Sequence, residues 1–209
     1  MYYVTQHSSP LGPVTLVCTD EALVALRLPG QMPFGEEAVT LSAPEEHPIL
    51  QKTALWLDRY FAGEKPDSGK IPLNPAGTPF QKMIWKLLLE IPHGEAVTYG
   101  TLAEKAAALS GKARMSAQAV GQAVGANPIA IIIPCHRCLG AKGKLTGYAG
   151  GLILKRALLN LEKPPIFPED GNFSVLFQEF DGIHFTNHPD ILYNFFGMAT
   201  FPFYHSHKL

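Results

Sequence analysis

Between residues 63 and 77 the chain loses its hydrophobic periodicity and becomes a run of proline, glycine and charge, the composition of a linker. Different repeats flank it. Before it, Tyr3, Thr5 and His7, then Val14-Thr15-Leu16-Val17-Cys18, then Leu23-Val24-Ala25-Leu26-Arg27-Leu28 alternate polar and apolar positions, as half-buried strands do. Asp20-Glu21 lies between the last two runs at hairpin spacing, and Pro29-Gly30 and Pro33 end the sheet signal. Residues 47 to 61 then switch to helical spacing through Ile49, Leu50, Thr53, Leu57, Tyr60 and Phe61. The expected fold is α+β: a small N-terminal α/β domain with a short antiparallel sheet over residues 1–70, then a mainly helical domain over residues 77–163.

The second domain opens with Thr78-Pro79, a capping residue followed by proline at the first helical position, and Phe80, Ile84, Leu87, Leu88 and Ile91 supply the apolar stripe. Thr98 caps a second helix through Leu109, and residues 116 to 126 form a third after a turn at Ser110-Gly111-Lys112. That order is a helix-turn-helix. In the last helix Ala117, Val120 and Val124 are expected on the inner face, with Gln118, Gly121, Gln122 and Gly125 on the outer one. Glycine in a helix interior costs about 1 kcal/mol against alanine. Two on one face therefore imply either a close-packed neighbouring helix or another backbone brought very near.

The 209 residues are 46% hydrophobic and 17% charged, enough to build a core and too apolar for a wholly disordered chain. No apolar run approaches the ~18 residues of a membrane span, and the N-terminus lacks a signal-peptide pattern, so the expected address is the cytoplasm. Three cysteines, Cys18, Cys135 and Cys138, are too few for a disulfide framework and leave a reactive thiol possible. The net charge of −1 hides a segregation. Residues 1–78 carry five Lys/Arg against nine Asp/Glu, residues 79–163 eleven against four, and residues 164–209 one against five. Only the middle block is basic, the footprint of a polyanion-binding domain or of a solvated lysine-rich face.

Inside that block Ile129-Ala130-Ile131-Ile132-Ile133 reads as a strand buried on both faces, and Pro134-Cys135-His136-Arg137-Cys138 follows at once. A thiol at the end of a rigid apolar element is well positioned for chemistry. It is nucleophilic only as thiolate, and the neighbouring imidazole, Arg137 and the basic field are expected to lower its pKa from about 8.5. A buried, inert cysteine is the other reading.

Pro134-Cys135-His136-Arg137, preceded by Asn127-Pro128 and followed by Gly147-Tyr148-Ala149-Gly150-Gly151, resembles the O6-alkylguanine-DNA alkyltransferase family. The resemblance extends to Ser9-Pro10-Leu11-Gly12, Tyr60-Phe61-Ala62-Gly63, Gly77-Thr78-Pro79-Phe80-Gln81 and Gly94-Glu95-Ala96-Val97-Thr98-Tyr99-Gly100, and so spans about residues 1 to 163. It implies a ribonuclease-H-like N-terminal domain and a helix-turn-helix domain that binds duplex DNA through the minor groove. That domain swings an O6-alkylguanine, or an O4-alkylthymine, out of the stack and moves its alkyl group irreversibly to a cysteine. A monomer, no cofactor and no metal are implied as well.

Carried over by position, the resemblance makes Cys135 the acceptor, linked through an ordered water to His136, which Glu162 orients. Tyr99 matches the tyrosine that donates to the base, and Asn127 the asparagine that ties the helix-strand turn to the cysteine loop. On the substrate and DNA side it places Ala117, Gln118 and Gln122 on the recognition helix, with Arg137, Tyr148, Ala149, Gly150 and Lys155 around the displaced base. The chemistry asks for such groups, because losing an alkyl group leaves negative charge on the purine and donors must meet it.

Three features depart from the family pattern. Gln118 stands where many members place an arginine, which removes charge-assisted contact with DNA. Cys138 creates Cys-x-x-Cys, but zinc would need two more ligands and Cys18, His7 and His47 lack ligand spacing. A thioredoxin-like site would start a helix, whereas Leu139-Gly140-Ala141-Lys142-Gly143 is turn-like. A non-catalytic helix-turn-helix lesion sensor or transcription regulator, with Cys135 and Cys138 as a redox switch, is the rival reading. Lastly, residues 164–209 hold nine of twelve phenylalanines and four of eight histidines without a period. They read as a flap packed on the body, a partner-binding arm, or a segment foreign to the fold. His184, His188, His205 and His207 offer only incidental metal ligands there.

Overall fold

A computed structural model describes residues 1–31 and 38–163, so the expectations for residues 164–209 lie outside the described residues. Strands β1 (Tyr2–His7), β2 (Val14–Cys18) and β3 (Leu23–Arg27) form the antiparallel sheet that their alternation predicts. A fourth strand, β4 (Ala38–Thr40), pairs parallel with β1, giving a mixed sheet in the order β3-β2-β1-β4. Three residues are too short to show alternation, and the sequence gives no sign of β4.

Helix α1 (Pro48–Phe61) starts at His47, whose ring Nδ1 accepts from the Ile49 N–H at 3.3 Å, and buries Leu50, Ala54, Leu57, Tyr60 and Phe61. Helix α2 (Pro79–Leu89) has a reciprocal cap: Thr78 Oγ1 accepts from Gln81 N at 3.2 Å, and the Gln81 side chain accepts from Thr78 N at 2.8 Å. Such a cap contributes about 1 kcal/mol. The short strand β5 (Val97–Thr98) leads into α3 (Tyr99–Leu109), capped by Thr98, and Ser116 caps α4 (Ala117–Gly125). Trp85 Nε1 donates to Ala123 O at 2.8 Å and locks α2 to α4. Strand β6 (Cys138–Leu139) pairs parallel with β5, and α5 (Gly151–Glu162) closes the described fold.

Two expectations are corrected here, and the path of the linker is added to them. Residues 129–133 are buried as predicted, yet form a tight turn rather than a strand: Ile132 N donates to Ala130 O at 2.8 Å, Ile133 N to Ile129 O at 3.1 Å, and Ile131 takes φ 66°. An apolar run specifies burial, and among the described residues no strand lies beside its whole length to hold it extended. In α4 the buried face is Val120, Ala123 and Val124, while Ala117 is exposed beside Gln118 and Gln122. The linker, finally, is tied down. Leu23 N donates to Pro72 O at 2.8 Å and Asn74 N to Leu23 O at 2.9 Å, so it runs along the sheet edge.

The same edge reaches further. Leu26 N donates to Pro128 O at 2.9 Å and accepts at its carbonyl from Ala130 N at 3.0 Å, so β3 grips the segment leading to Cys135. Buried side chains of both halves accordingly merge into one apolar cluster, from Leu16 and Leu57 through Trp85 to Ile132 and Leu158.

Candidate active site

The turn after α4 is organised by one side chain. Asn127 Nδ2 donates to Ile133 O at 2.8 Å and to Cys135 Sγ at 3.1 Å, while its Oδ1 accepts from Ile129 N at 3.0 Å. One carboxamide thus fixes both ends of the turn and reaches the sulfur. Cys135 opens a single 3-10 turn, Cys135–Arg137, which sends His136 and Arg137 inward.

Both meet Glu162 at the end of α5. His136 Nε2 lies 2.8 Å from Glu162 Oε1, and Arg137 grips the carboxylate at two points, Nε to Oε2 and Nη2 to Oε1, each at 2.8 Å. Tyr60 Oη donates to Oε1 at 2.8 Å and Gly94 N to Oε2 at 3.1 Å. Burial pushes the Glu162 carboxyl up, but the His136 bond and the Arg137 charge outweigh it and hold the group well below the usual carboxylate range. It is therefore ionised and can only accept. His136 Nε2 must then carry the proton, which leaves Nδ1 as a lone-pair nitrogen, and this buried atom has no hydrogen-bond partner among the described residues. Burial also pushes the imidazole below its ordinary pKa, so the ring is neutral near pH 7.

Cys135 is 7% exposed and forms part of the wall of a cavity of about 200 Å³. This is smaller than the roughly 300–1,000 Å³ of drug-sized pockets, the scale of one planar ring system. Tyr99, Gly121 and Gly125 form one side, Tyr148, Ala149 and Gly150 another, and Leu28 and Gln31 of the N-terminal half a third. A Cβ on Gly125 would meet nothing within 4 Å, and one on Gly121 only the Tyr99 ring at 3.8 Å. The two glycines therefore clear space at the cavity instead of packing against a neighbouring helix. Tyr99 Oη makes a long, weak 3.4 Å bond to Gly147 O, and the Tyr148 hydroxyl is buried without a partner among the described residues.

The structure places Cys135, Asn127 and Tyr99 in the wall of this cavity, pairs His136 with Glu162 in the interior outside its lining, and leaves Ala117, Gln118 and Gln122 exposed on α4. It gives two cations partners within the protein. Arg137 is only 9% exposed, and its third nitrogen, Nη1, donates to Ile91 O at 2.5 Å. Lys155 is buried, and its Nζ donates to Thr146 O at 2.6 Å and Gly147 O at 3.2 Å, holding the glycine loop. The thiol also differs from expectation. Burial pushes the Cys135 pKa up against the Asn127 bond and the Lys155 charge, because Arg137 is spent on Glu162 and His136 is neutral. Cys138 is fully buried and pushed up to about 12 by burial, and all three cysteines are free thiols. Among the described residues no group of three or more His, Cys, Asp or Glu is placed to hold a metal ion. The sequence pattern marks no site role for Tyr60, Leu28 or Gln31. Only Tyr60 had a signal, in the retained Tyr60-Phe61-Ala62-Gly63.

A helix-turn-helix beside a ring-sized cavity, with a cysteine in its wall and a histidine-carboxylate pair behind, defines the class of proteins that accept a group from DNA onto a thiol. Residues 1–75 match the 6-O-methylguanine DNA methyltransferase ribonuclease-like domain, and residues 79–164 match the DNA binding domain of the same family. The chain belongs to the 6-O-methylguanine DNA methyltransferase family. It is 42% identical to the methylated-DNA–protein-cysteine methyltransferase of Haemophilus influenzae over 78% of this chain and 87% of that one. Identity to the Mycobacterium tuberculosis protein of the same name is 45%, over 74% and 88%. The crystal structure of Mycobacterium tuberculosis OGT in complex with DNA superposes with a TM-score of 0.68 at 41% identity, covering 77% of this chain and 92% of that one.

Proposed function

We propose that the protein repairs duplex DNA by taking the alkyl group of O6-alkylguanine, or of O4-alkylthymine, onto Cys135 in one irreversible event. The observation that carries this reading is Cys135 Sγ in the wall of a ring-sized cavity, bonded by Asn127 at 3.1 Å and followed in the chain by a neutral, correctly tautomerised His136. The helix-turn-helix enters the minor groove through α4, with Gln118 and Gln122 toward the duplex, and the lesion turns out of the stack into the cavity. Residues 1–70 serve as the ribonuclease-H-like half and residues 77–163 as the alkyltransferase half.

The raised thiol pKa requires that the thiolate be made at the moment of reaction. His136 Nδ1, which no side chain of the described residues bonds directly, takes the Cys135 proton through a bridging water, and Glu162 stabilises the imidazolium that results. The sulfur attacks the alkyl carbon, a C–S bond forms, the C–O6 bond breaks, and its electron pair passes into the guanine ring. Tyr99 meets that charge by exchanging its weak bond to Gly147 O for the base. The proton held on His136 returns to the purine, so the products are neutral guanine and a Cys135 thioether. A thioether has no easy route back to a thiol, so each molecule acts once and needs no cofactor. All these groups come from one chain, which suits a monomer, and three free thiols suit the reducing cytoplasm.

Incubation with an oligonucleotide carrying O6-methylguanine should add one methylene mass to the peptide bearing Cys135, and Cys135→Ser should abolish the transfer. Methyl transfer that persists in that variant would refute the assignment.

A further inference from the structure

We propose that Tyr60, from the N-terminal half, is a positioning residue for the transfer step: its hydroxyl holds Glu162 Oε1 where His136 needs it. The inference rests on the reading of His136 and Glu162 as the pair that takes the thiol proton. The bond spans 102 residues of sequence, at 2.8 Å, in the interior. Oε1 is shared by Tyr60 Oη, His136 Nε2 and Arg137 Nη2, whereas Oε2 takes Arg137 Nε and Gly94 N. The arginine fork fixes the carboxylate plane. The phenol is the donor from outside the catalytic half that shares its oxygen with the imidazole.

The ring is itself rigidly held. It stacks on Trp56 at 5.3 Å and 10°, and meets Phe61 at 5.4 Å and 75° and His93 at 5.9 Å and 74°. Tyr60 is 1% exposed on a helix face that also buries Leu50, Thr53, Ala54, Trp56, Leu57 and Phe61. Phenylalanine would fill that core position without a polar atom to satisfy, so packing does not call for the hydroxyl. A hydroxyl that merely joins the two halves would contribute stability and leave the transfer rate alone. One that sets the carboxylate would act on the rate of the bound complex.

The test uses the full chain and a duplex carrying O6-methylguanine, with single-turnover transfer measured across DNA concentrations for wild type, Tyr60→Phe, Glu162→Gln and the double variant. In Tyr60→Phe the maximal rate constant should fall about tenfold, the effect of one buried hydrogen bond, with half-saturating DNA unchanged within about twofold. The double variant should be no slower than Glu162→Gln alone, because both changes act through one carboxylate. A Tyr60→Phe maximal rate equal to wild type, with Glu162→Gln slowed, would overturn the inference and leave the proton-transfer reading standing. So would a double variant slowed by the product of the two single effects. Glu162→Gln at the wild-type rate would overturn the reading itself, and the inference with it. If Glu162→Gln does not fold, the His136 Nε2–H proton resonance decides: it should shift in Tyr60→Phe, and an unmoved resonance overturns the inference.

Discussion

The Asn127 carboxamide donates to the Cys135 sulfur at 3.1 Å while bonding Ile133 O at 2.8 Å, so the group that shapes the turn also touches the reacting atom. A donor to sulfur gains strength as the thiol becomes a thiolate, where such a bond is worth roughly 1.5–3 kcal/mol. Asn127→Ala should therefore slow single-turnover methyl transfer by about ten- to a hundredfold. A folded variant that transfers at the wild-type rate would reduce the contact to a purely architectural one.

Arg137 gives a prediction of the opposite kind. Its guanidinium and Glu162 form a buried two-point pair, and removing one partner strands the other charge at a cost of about 3–5 kcal/mol. Arg137→Met should lower the urea midpoint accordingly, with little change in affinity for undamaged duplex under folding conditions. A stable variant with weakened DNA binding would return this residue to the DNA surface.

Stability should fall at both ends of the pH range. On the acid side, His136 is held below its ordinary pKa by burial and Glu162 below its own by Arg137 and His136 after burial is outweighed, so the unfolded chain binds more protons than the native one. Stability is then lost as pH falls, beginning below about 6.5 with His136 and continuing below about 4.3 with Glu162. On the alkaline side the Cys138 thiol, pushed up to about 12 by burial, binds a proton that the unfolded chain gives up. Its stabilisation is complete below about pH 8.5 and fades toward 12. Denaturant midpoints across pH should show both slopes, and Cys138→Ala should flatten the alkaline one. An alkaline limb unchanged in that variant would assign it to other groups.

Gln118 is exposed in the first turn of α4, the helix proposed to meet the duplex. Gln118→Arg should tighten binding to duplex DNA and steepen the dependence of log K on log salt by about one. Equal affinities and slopes through a salt titration would remove this position from the interface.

Much of this could be read from residue patterns, and what could not had a physical cause. Thr78-Pro79, Thr98 and Ser116 announced three helix starts, because a capping side chain acts on backbone only two or three residues away. The order of Asn127, Cys135 and His136 likewise named a site that the fold assembles. Ile129 to Ile133 misled, since β-branched residues record burial and the turn is dictated by Asn127 and by the β3 edge. The partners of Arg137 and Lys155 were not legible because a cation carries no mark of them, and Glu162 lies 25 residues from Arg137. Tyr60 is the extreme case, its partner being 102 residues away.

The two rungs between Leu26 and the segment at Pro128 and Ala130 bear on how such proteins can be recombined. Chimeras joined within residues 63–77 look modular on paper, yet each parent supplies one side of that clasp. A swap will yield a working hybrid only when the donor's third strand presents the same two backbone groups, in register, to the recipient's cysteine loop.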